Sequence, residues 1–437
     1  MGGALMQLVA YGAQDIYLTG QPQITFFKAV YRRHTNFALE SILQSITGAP
    51  GFGNRISVTI SRDGDLLRNL WIQYSPQQIL GNIPGGLTPE TSTYNVTANL
   101  GHSLINYVEI EIGGQIIDRH YGLWLTLWNY LTDENPTGVQ GEGNKSIAPV
   151  GPVNFYCEPG TTNLPNYQNP CVSTKYNIMS FNHRGFKQTT NFYATNNAYI
   201  PMQFWFCKNS GLALPLIALQ YHEVKFNVYF NNVEAITNYY NLPSSVLNGI
   251  QVYADYVYLD TTERRQFAQN AHEYLIDQVQ VNQSVSGAAM ELIFNHPVKE
   301  LVWCKSPVII DSGGEVYSGG SSPSGTLSGA TDGGTYKMVI NSTDRFTERD
   351  VKYFTRLQVY DCHTGYGSVL FPDSVAVYSF ALRPEEHQPS GTCNFSRIDS
   401  SQLVRNVPNP TESIDIFAVN YNVLRIMSGM GGLAYSN

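Results

Sequence analysis

Residue types that do chemistry in proteins are present in this chain, but their spacing does not assemble a metal site. The nine histidines include no His-x-His pair, which a cupin-type metal centre in a β-sandwich would need. His222-Glu223 and His272-Glu273 are adjacent pairs, yet neither is followed by the second histidine of a His-Glu-x-x-His zinc site. We therefore interpret each histidine as structural and predict no bound metal.

Nucleotide-binding and nucleophilic motifs are also incomplete. The segment Gly138–Ser146 approaches a phosphate-binding loop, but an asparagine stands where lysine must directly follow the second glycine. No Gly-x-Ser-x-Gly turn occurs, and no cysteine–histidine pairing stands out. The acidic pairs Glu385-Glu386 and Asp63/Asp65 lie in turn sequences, where we expect solvated surface carboxylates. The sequence thus predicts a protein that is not an enzyme and that has no cofactor.

Composition indicates a large β-rich protein with extensive contacts. Hydrophobic residues make up 43% of the 437-residue chain, enough to bury a sizeable core. Only 14% of residues are charged and 12% are aromatic, a balance typical of surfaces buried against other proteins. A β-rich fold without such interfaces would also account for this composition. The net charge of −8, with no basic run longer than two residues, argues against direct nucleic-acid binding.

Cysteine usage and modification motifs bound the setting of the protein. Six cysteines without a Cys-x-x-Cys pair indicate reduced thiols rather than a disulfide framework. Because no apolar h-region follows Met1, we expect no secretory signal, and no apolar run is long enough to span a membrane. Five Asn-x-Ser/Thr sequons are candidate glycosylation sites, and two of them, Asn144 and Asn341, lie in or beside long predicted loops. The five are Asn95, Asn144, Asn282, Asn341 and Asn394.

The elements that must position these residues are mostly short strands. Val224–Phe230 alternates apolar and polar residues, the period of a half-buried antiparallel strand. An Asp-Gly turn between Ile56–Ile60 and Leu66–Tyr74 predicts a hairpin. Phe27–Ile46 is interpreted as a first strand or short helix, and Leu123–Leu131 as a short helix or strand in the core. Other strands are predicted at Val108–Ile112, Tyr199–Phe206, Val252–Leu259, Tyr336–Ile340, Val375–Leu382 and Ile414–Ile426.

The second half of the chain repeats the plan of the first. Met290–Phe294 and Glu300–Trp303 parallel the first predicted hairpin, with Trp303 in the place of Trp71. Long Gly-, Pro- and Ser-rich loops follow at corresponding positions in the two halves. The common order of these features predicts a duplicated β-domain.

One spacing in the two halves is identical. Gly211 and Val224 are as far apart as Gly391 and Val404. With long loops at fixed places, this pattern predicts an all-β protein made of two consecutive eight-stranded antiparallel jelly-roll sandwiches, with a few short helices in loops and linker. The predicted divisions are an N-terminal arm (1–26), a first jelly roll (27–260), a linker helix (261–272) that Asp260 caps, and a second jelly roll (273–437).

Four long segments resemble a known protein family, the major capsid proteins of nucleocytoplasmic large DNA viruses, of the chlorella-virus and iridovirus type. The resemblance extends over essentially the whole chain, apart from the loops at 75–100, 132–174 and 305–335. The segments are YGAQDIYLTGQPQITFFKAVYRRHTNFALES (Tyr11–Ser41), GLALPLIALQYHEVK (Gly211–Lys225), QPSGTCNFSRID (Gln388–Asp399) and NYNVLRIMSGMGGLAY (Asn420–Tyr435).

The resemblance implies a structural function. It implies a double jelly roll in each chain, and a homotrimer whose six jelly rolls form a pseudo-hexagonal capsomer. The N-terminal arm would lie at the inner side of the shell, near the membrane and minor capsid proteins, and the long loops would face outward. Virion assembly would take place in the host cytoplasm.

Two further expectations follow from this interpretation. The proline-stiffened run Leu212–Leu219 is predicted to lie against a neighbouring barrel or subunit, with Leu212, Leu214 and Leu216 as the contact residues. An alternative function, a carbohydrate-binding or enzymatic β-sandwich, is supported by the aromatic content and opposed by the missing acid–base and metal constellations.

Overall fold

The computed structural model describes residues 13–75, 100–133, 179, 197–232, 247, 249–305, 334–365, 375–407, 410 and 413–435. The chain divides into two units, Met1–Phe37 and Ala38–Asn437. Most of the described residues outside turns are β-strand. Six α-helices with described bounds, α1 to α6, are Ile16–Thr19, Leu100–Leu104, Gly122–Thr132, Trp205–Lys208, Thr261–Gln269 and Gln358–Cys362.

Strands fall into two sets, before and after helix α5. The first set, β1 to β10, comprises Phe37–Gln44, Ile46–Thr47, Arg55–Thr59, Leu66–Tyr74, Ile105–Ile112, Gln115–Tyr121, Ala198–Pro201, Leu214–Pro215, Val224–Phe230 and Gln251–Leu259. The second set, β11 to β21, comprises His272–Val285, Ala289–Glu291, Pro297–Lys305, Thr335–Ile340, Thr343–Asp344, Arg349–Asp350, Ala376–Ser379, Cys393–Asn394, Ser401–Asn406, Ile414–Met427 and Met430–Leu433.

Each half builds two sheets, and the strand order is the same in both halves apart from β2, an additional edge strand of the first half. The first half has the orders β1-β10-β4-β7 and β2-β3-β9-β5-β6. The second half has β11-β20-β13-β17 and β12-β19-β14-β15. The two sheets of each half enclose one apolar core, so each half is a β-sandwich. The predicted all-β fold is confirmed; the described strands do not establish the predicted number of eight per sandwich.

Strand β9 shows why these sequences form half-buried strands. Its apolar side chains are buried, while Lys225 and Tyr229 are half-exposed, as the alternation predicts. Asn227 is the exception, since it is fully buried on the polar side. The Ser57 hydroxyl donates to its Oδ1 at 2.8 Å, and its Nδ2 donates to Glu111 at 3.3 Å. Hydrogen bonding therefore makes this buried amide tolerable.

The predicted hairpin between Ile56–Ile60 and Leu66–Tyr74 is wrong in its pairing. Strand β3 pairs with β9, whereas β4 pairs with β10, so the turn carries the chain from one sheet to the other. Gly64 in this turn lies against Tyr256, where an added Cβ would come within 2.5 Å of the tyrosine Cβ. The β12–β13 connection makes the same crossing in the second half. A turn sequence predicts a reversal of the chain but not the strand that will be its partner.

The repeat is real, but its predicted alignment is one residue out. Arg68 in β4 and Lys299 in β13 are the extra residues of corresponding β-bulges. Aligning these bulges places Trp303 opposite Ile72 rather than Trp71. Trp303 is fully buried, whereas Trp71 is half-buried on the other face and stacks on a tyrosine. A shift of one residue in a strand exchanges its two faces.

The identical glycine spacing is a coincidence at the level of single residues. In the pairing of β8 with β4 and the corresponding pairing of β18 with β13, Leu214 and Cys393 occupy equivalent positions. If the two halves are aligned on these two residues, Val224 corresponds to Leu403 and not to Val404. The burial of these side chains supports this alignment, because Leu403 is fully buried while Val404 is half-buried.

Two other predicted strands are shorter than expected, and one segment predicted as a helix or a strand is resolved as a helix. Within Phe27–Ile46, the strand begins only at Phe37, and Tyr199–Phe206 ends as a strand at Pro201 before helix α4 begins. Leu123–Leu131 is helical, as part of α3. The Gly-rich C-terminal segment forms β21 against β20.

The linker helix α5 is shorter than predicted, and its predicted cap is absent. It ends at Gln269, and the Asp260 side chain makes no capping hydrogen bond. Instead Asp65, expected to be solvated, is buried, pairs with Arg264 of the helix at 3.0 Å and accepts the Leu259 N–H at 2.9 Å. The predicted domain borders 26/27, 260/261 and 272/273 remain predictions.

The N-terminal unit exposes its apolar side chains. Described residues up to Asn36 are almost all exposed, and they include Tyr17, Leu18, Phe26 and Phe27. This exposed character continues beyond residue 26, the predicted end of the arm. Among the described residues, no helix is long and apolar enough to cross a membrane.

Candidate functional site: the junction between the two sandwiches

The sequons predicted as glycosylation sites do not cluster. Asn341 and Asn394 are exposed, and Asn282 is half-buried within β11. Asn341 lies in the β14–β15 turn with a φ of 48°, and its Oδ1 accepts the N–H groups of two residues. Asn95 and Asn144 lie outside the described residues, as does the rejected phosphate-loop segment Gly138–Ser146.

The three leucines predicted as contact residues lie mainly in the first core. Leu214 and Leu216 expose 1% and 3% of their surface, and Leu212 is half-buried against the same cluster. Burial of this degree favours a packing role for Leu214 and Leu216. Their predicted role in contacts with another subunit remains a prediction.

Helix α3 is the main apolar link between the two sandwiches. It is apolar on nearly all sides, and its residues Gly122–Leu131 are all buried, as expected for a helix enclosed by protein. The Trp124 ring contacts the Phe417 ring of β20 with centroids 5.4 Å apart. One apolar cluster combines α3 with strands of the second half. Its second-half members are Val279, Val302, Cys304, Val359, Val375, Val377, Phe417 and Val419.

Backbone hydrogen bonds complete this link. Gly365 donates its N–H to the Leu131 carbonyl at 2.7 Å, at the C-terminal end of α3. That carbonyl belongs to the last helical turn, where no partner exists within the helix. An added Cβ on Gly365 would lie 2.3 Å from the Leu131 backbone carbon, so glycine permits this approach.

A second set of polar contacts joins strand β6 to β11. Asp118 Oδ1 accepts the Val279 N–H at 3.1 Å, and its other oxygen lies 2.8 Å from His120 Nε2. His222 Nδ1 lies 2.9 Å from the Gly431 carbonyl oxygen, so this histidine also bridges the halves. Gly113 supports the arrangement, because a Cβ there would lie 2.3 Å from the His222 ring.

Buried ionisable groups form the electrostatic part of the junction. Lys299 exposes 1% of its surface and pairs with Asp277 at 3.0 Å. His363 is enclosed between Glu300 and Glu385. Burial alone would lower the pKa of His363, but the charge of Glu300, 3.1 Å away, and the hydrogen bond with Glu385 outweigh it and raise the pKa to about 9. The expectation that Glu385 is a solvated carboxylate is wrong, because its hydrogen-bond partners hold the carboxylate in a partly buried position.

A further buried histidine, His102, lies against helix α3. His102 Nδ1 lies 3.0 Å from Thr126 Oγ1 of α3, and burial lowers the pKa of this histidine to about 3, so it stays neutral. No group of three or more His, Cys, Asp or Glu residues suited to a metal ion occurs in the described part of the chain. The arrangement can hold two sandwiches in one orientation; it presents no acid–base pair open to a substrate within the residues described.

Sequence reasoning missed the junction as a site. The signal for α3 was available, since Leu123–Leu131 is apolar on nearly all sides of a helix. Lys299 and Glu300 also interrupt a strand that is otherwise apolar from Pro297 to Trp303, which signals buried charges with partners. His363 carried no such signal, because its partners come from strands and loops distant in sequence.

The repeated sandwiches and their buried junction define a double jelly-roll protein. Two family models cover most of the chain: "Major capsid protein N-terminus" matches residues 25–260, and "Large eukaryotic DNA virus major capsid protein" matches residues 263–432. The chain belongs to the family of major capsid proteins of large eukaryotic DNA viruses.

Individual relatives agree with this assignment. The chain is 42% identical to the major capsid protein of Pyramimonas orientalis virus and 37% identical to that of Paramecium bursaria Chlorella virus 1, in both cases over all of both chains. A chain in a quasi-atomic model of the PBCV-1 capsid is 32% identical, with a TM-score of 0.66, covering 94% of this chain and 100% of that one. The Faustovirus major capsid protein, 13% identical with a TM-score of 0.64, shares the fold.

The family assignment establishes the general function. The protein is a structural component of a large DNA virus, located in the virion capsid, and it is not an enzyme. The predicted resemblance is therefore confirmed.

Proposed function

We propose that three copies of this chain form a pseudo-hexagonal capsomer that tiles the icosahedral shell of a large double-stranded DNA virus. The observation that carries the proposal is the repetition of one strand order in two sandwiches joined by buried α3. A threefold axis through such a chain arranges six similar sandwiches in a ring. The outline is then close to sixfold, and identical tiles pack into a flat array.

Exposed apolar side chains on the main unit support self-association. Tyr221, Ile293, Tyr360 and Leu382 each expose between 74% and 83% of their surface. Large apolar groups are costly to leave in water, and subunit contacts of obligate assemblies bury such groups. The solved relatives include a model of an assembled PBCV-1 capsid, which supports association with neighbouring capsomers.

Light scattering coupled to size-exclusion chromatography tests the trimer. We expect a mass three times that of the chain at micromolar concentration. A stable monomer under these conditions would overturn the proposal. Leu212→Asp, compared with Leu214→Asp, separates contact from core: the first should reduce trimer yield, while the second, at a position only 1% exposed, should also unfold the first sandwich.

The N-terminal arm is proposed to contact minor capsid proteins at the inner, membrane-facing side of the shell. Its support is the exposure of Tyr17, Leu18, Phe26 and Phe27, each at least 85% exposed. Deleting residues 1–26 should leave the trimer intact and prevent incorporation into particles; normal incorporation would contradict this role. We further propose assembly in the host cytoplasm and no direct binding to nucleic acid, in keeping with the net charge of −8.

Glycosylation of the outer surface is part of the same proposal. Asn341 and Asn394 are the exposed candidates among the described residues, whereas Asn282 donates its amide to the Glu291 carbonyl at 3.2 Å. Glycopeptide mass spectrometry of purified virions should find modification at exposed sequons before it finds any at Asn282. Modification of Asn282 alone would contradict this order.

A further inference from the structure

A buried chain of polar contacts runs from the second sandwich to the end of helix α3. His363 follows α6 directly, and its side chain is wholly buried. Its Nε2 lies 3.1 Å from Glu300 Oε2, and its Nδ1 lies 2.9 Å from Glu385 Oε1. One imidazole thus stands between two carboxylates, and the Glu300 side chain is itself wholly buried.

The second carboxylate holds the residues that touch the first sandwich. Glu385 accepts the Thr364 N–H at 2.9 Å and the Thr364 hydroxyl at 2.8 Å. The next residue, Gly365, donates its N–H to Leu131 at the end of α3. The imidazole also meets the Trp128 ring of α3 edge to face, with centroids 6.4 Å apart. The ion pairs are therefore continuous with the contact between the sandwiches.

The charges around this imidazole are mostly negative on its own sandwich. Besides the two carboxylates, Asp361 lies on α6 itself, exposed to solvent. On β13, Lys299 is already paired with Asp277. From the first sandwich, the Lys208 ammonium lies 3.9 Å from the centroid of the Trp128 ring and feels the charge of Glu300. A positive imidazolium is thus the direct counter-charge between the two carboxylates.

We propose that protonated His363 is a latch that holds residues 363–365 against helix α3, and that loss of its proton in alkaline solution loosens the junction between the sandwiches. Without that proton, two carboxylates flank a neutral ring in a buried site. Neither oxygen of Glu300 accepts a hydrogen bond in the described structure, so the imidazolium 3.1 Å away is the counter-charge of this carboxylate. A buried carboxylate without a counter-charge is strongly destabilising.

The direction of the pH effect follows from linkage. The pKa of His363 is raised from 6.5 to about 9 by the two carboxylates, against the opposing effect of burial. A base whose pKa is raised on folding stabilises the fold fully below its unfolded value and loses this effect as pH rises through the folded value. The latch is therefore closed at pH 6.5, its contribution to stability declines as pH rises from 6.5 towards 9, and the latch opens as pH passes through about 9.

Urea unfolding of the full-length protein, as isolated, tests the latch. The ratio of unfolding constants between His363→Gln and the unaltered protein should fall on the order of 100-fold between pH 6.5 and 10. His34→Gln, at an exposed position of the N-terminal unit, should show no such change. Because the latch lies within one chain, this comparison at equal protein concentration does not depend on the trimer proposal.

Fluorescence gives an independent measurement that tolerates a poorly folding variant. Since an imidazolium beside an indole quenches its emission, emission should rise between pH 8 and 10 in the unaltered protein. The rise should disappear in Trp128→Phe, and Glu300→Gln should move its midpoint to lower pH. A ratio of unfolding constants that does not change with pH, or an emission change that survives Trp128→Phe, would overturn the proposal.

Discussion

Replacing Trp124 with alanine should uncouple the two sandwiches. The ring is fully buried in α3, and it packs against Phe417 of the second half. Removing a buried tryptophan costs about 3–5 kcal/mol, because both the transfer energy and the packing around the cavity are lost. The loss falls on the contact between the sandwiches rather than on either core.

The expected shift in melting temperature follows from the chain length. With about 2.1 cal/mol/K per residue over 437 residues, the unfolding entropy is about 0.9 kcal/mol/K. A loss of about 4 kcal/mol therefore lowers the melting temperature by roughly 4 °C. In addition, the single transition expected of the unaltered protein should broaden or split, since each sandwich has its own core.

Differential scanning calorimetry at fixed protein concentration measures both effects. Trp303→Ala is the matched comparison, because Trp303 is equally buried but lies wholly within the second core. That variant should lower the temperature of one sandwich without the same loss of coupling between the two. The reasoning is refuted if Trp124→Ala melts within about 1 °C of the unaltered protein, as a single transition of unchanged width.

Three further outcomes are expected. Gly113→Ala should destabilise the protein by about 1–3 kcal/mol, because its Cβ would lie 2.3 Å from a histidine ring. Gly114→Ala, which has open space around the new Cβ, should cost only about 1 kcal/mol. Urea unfolding compares the two variants, and equal losses of stability would contradict the predicted clash. Lys299→Met should lower the free energy of unfolding by about 3–5 kcal/mol, because it leaves Asp277 buried without its partner. Adding Asp277→Leu to this variant should restore most of the lost stability. A double variant as unstable as Lys299→Met alone would contradict the pairing. Burial raises the pKa of the Cys304 thiol well above its usual value. Maleimide labelling at pH 8 followed by peptide mass spectrometry should therefore find this thiol unmodified until the protein unfolds. Rapid labelling of the folded protein would show instead that the junction opens.

Much of the fold could be predicted because its signals are local. Strand β9 was visible from its alternation alone, and Ile414–Ile426 was visible from its length and β-branched residues. The duplication was visible from the order of such segments, although the two residue-level equivalences, Trp303 with Trp71 and Val404 with Val224, were wrong. Trp303 illustrates the limit, since its alignment depends on bulges at Arg68 and Lys299 that only the paired strands reveal.

The candidate site was harder to predict than the strands. Glu385 was expected to be solvated because its neighbours are typical of a turn, yet it holds the segment that contacts α3. Asp65 was misjudged for the same reason and lies buried beside helix α5. The local sequence reports the shape of a turn, whereas the burial of a carboxylate in it depends on what packs above.

By itself, the amino-acid sequence determined that this protein is built of antiparallel strands, that its halves repeat, and that it belongs among capsid proteins. These conclusions depend on side-chain periodicity and on long matching segments, both of which are read along the chain. The tertiary structure alone decided which sheet each strand joins, which residues face each core, and that His363 meets Glu300 beside α3. These depend on contacts between residues far apart in sequence, where a shift of one residue exchanges the two faces of a strand and one partner decides whether a buried charge is stable.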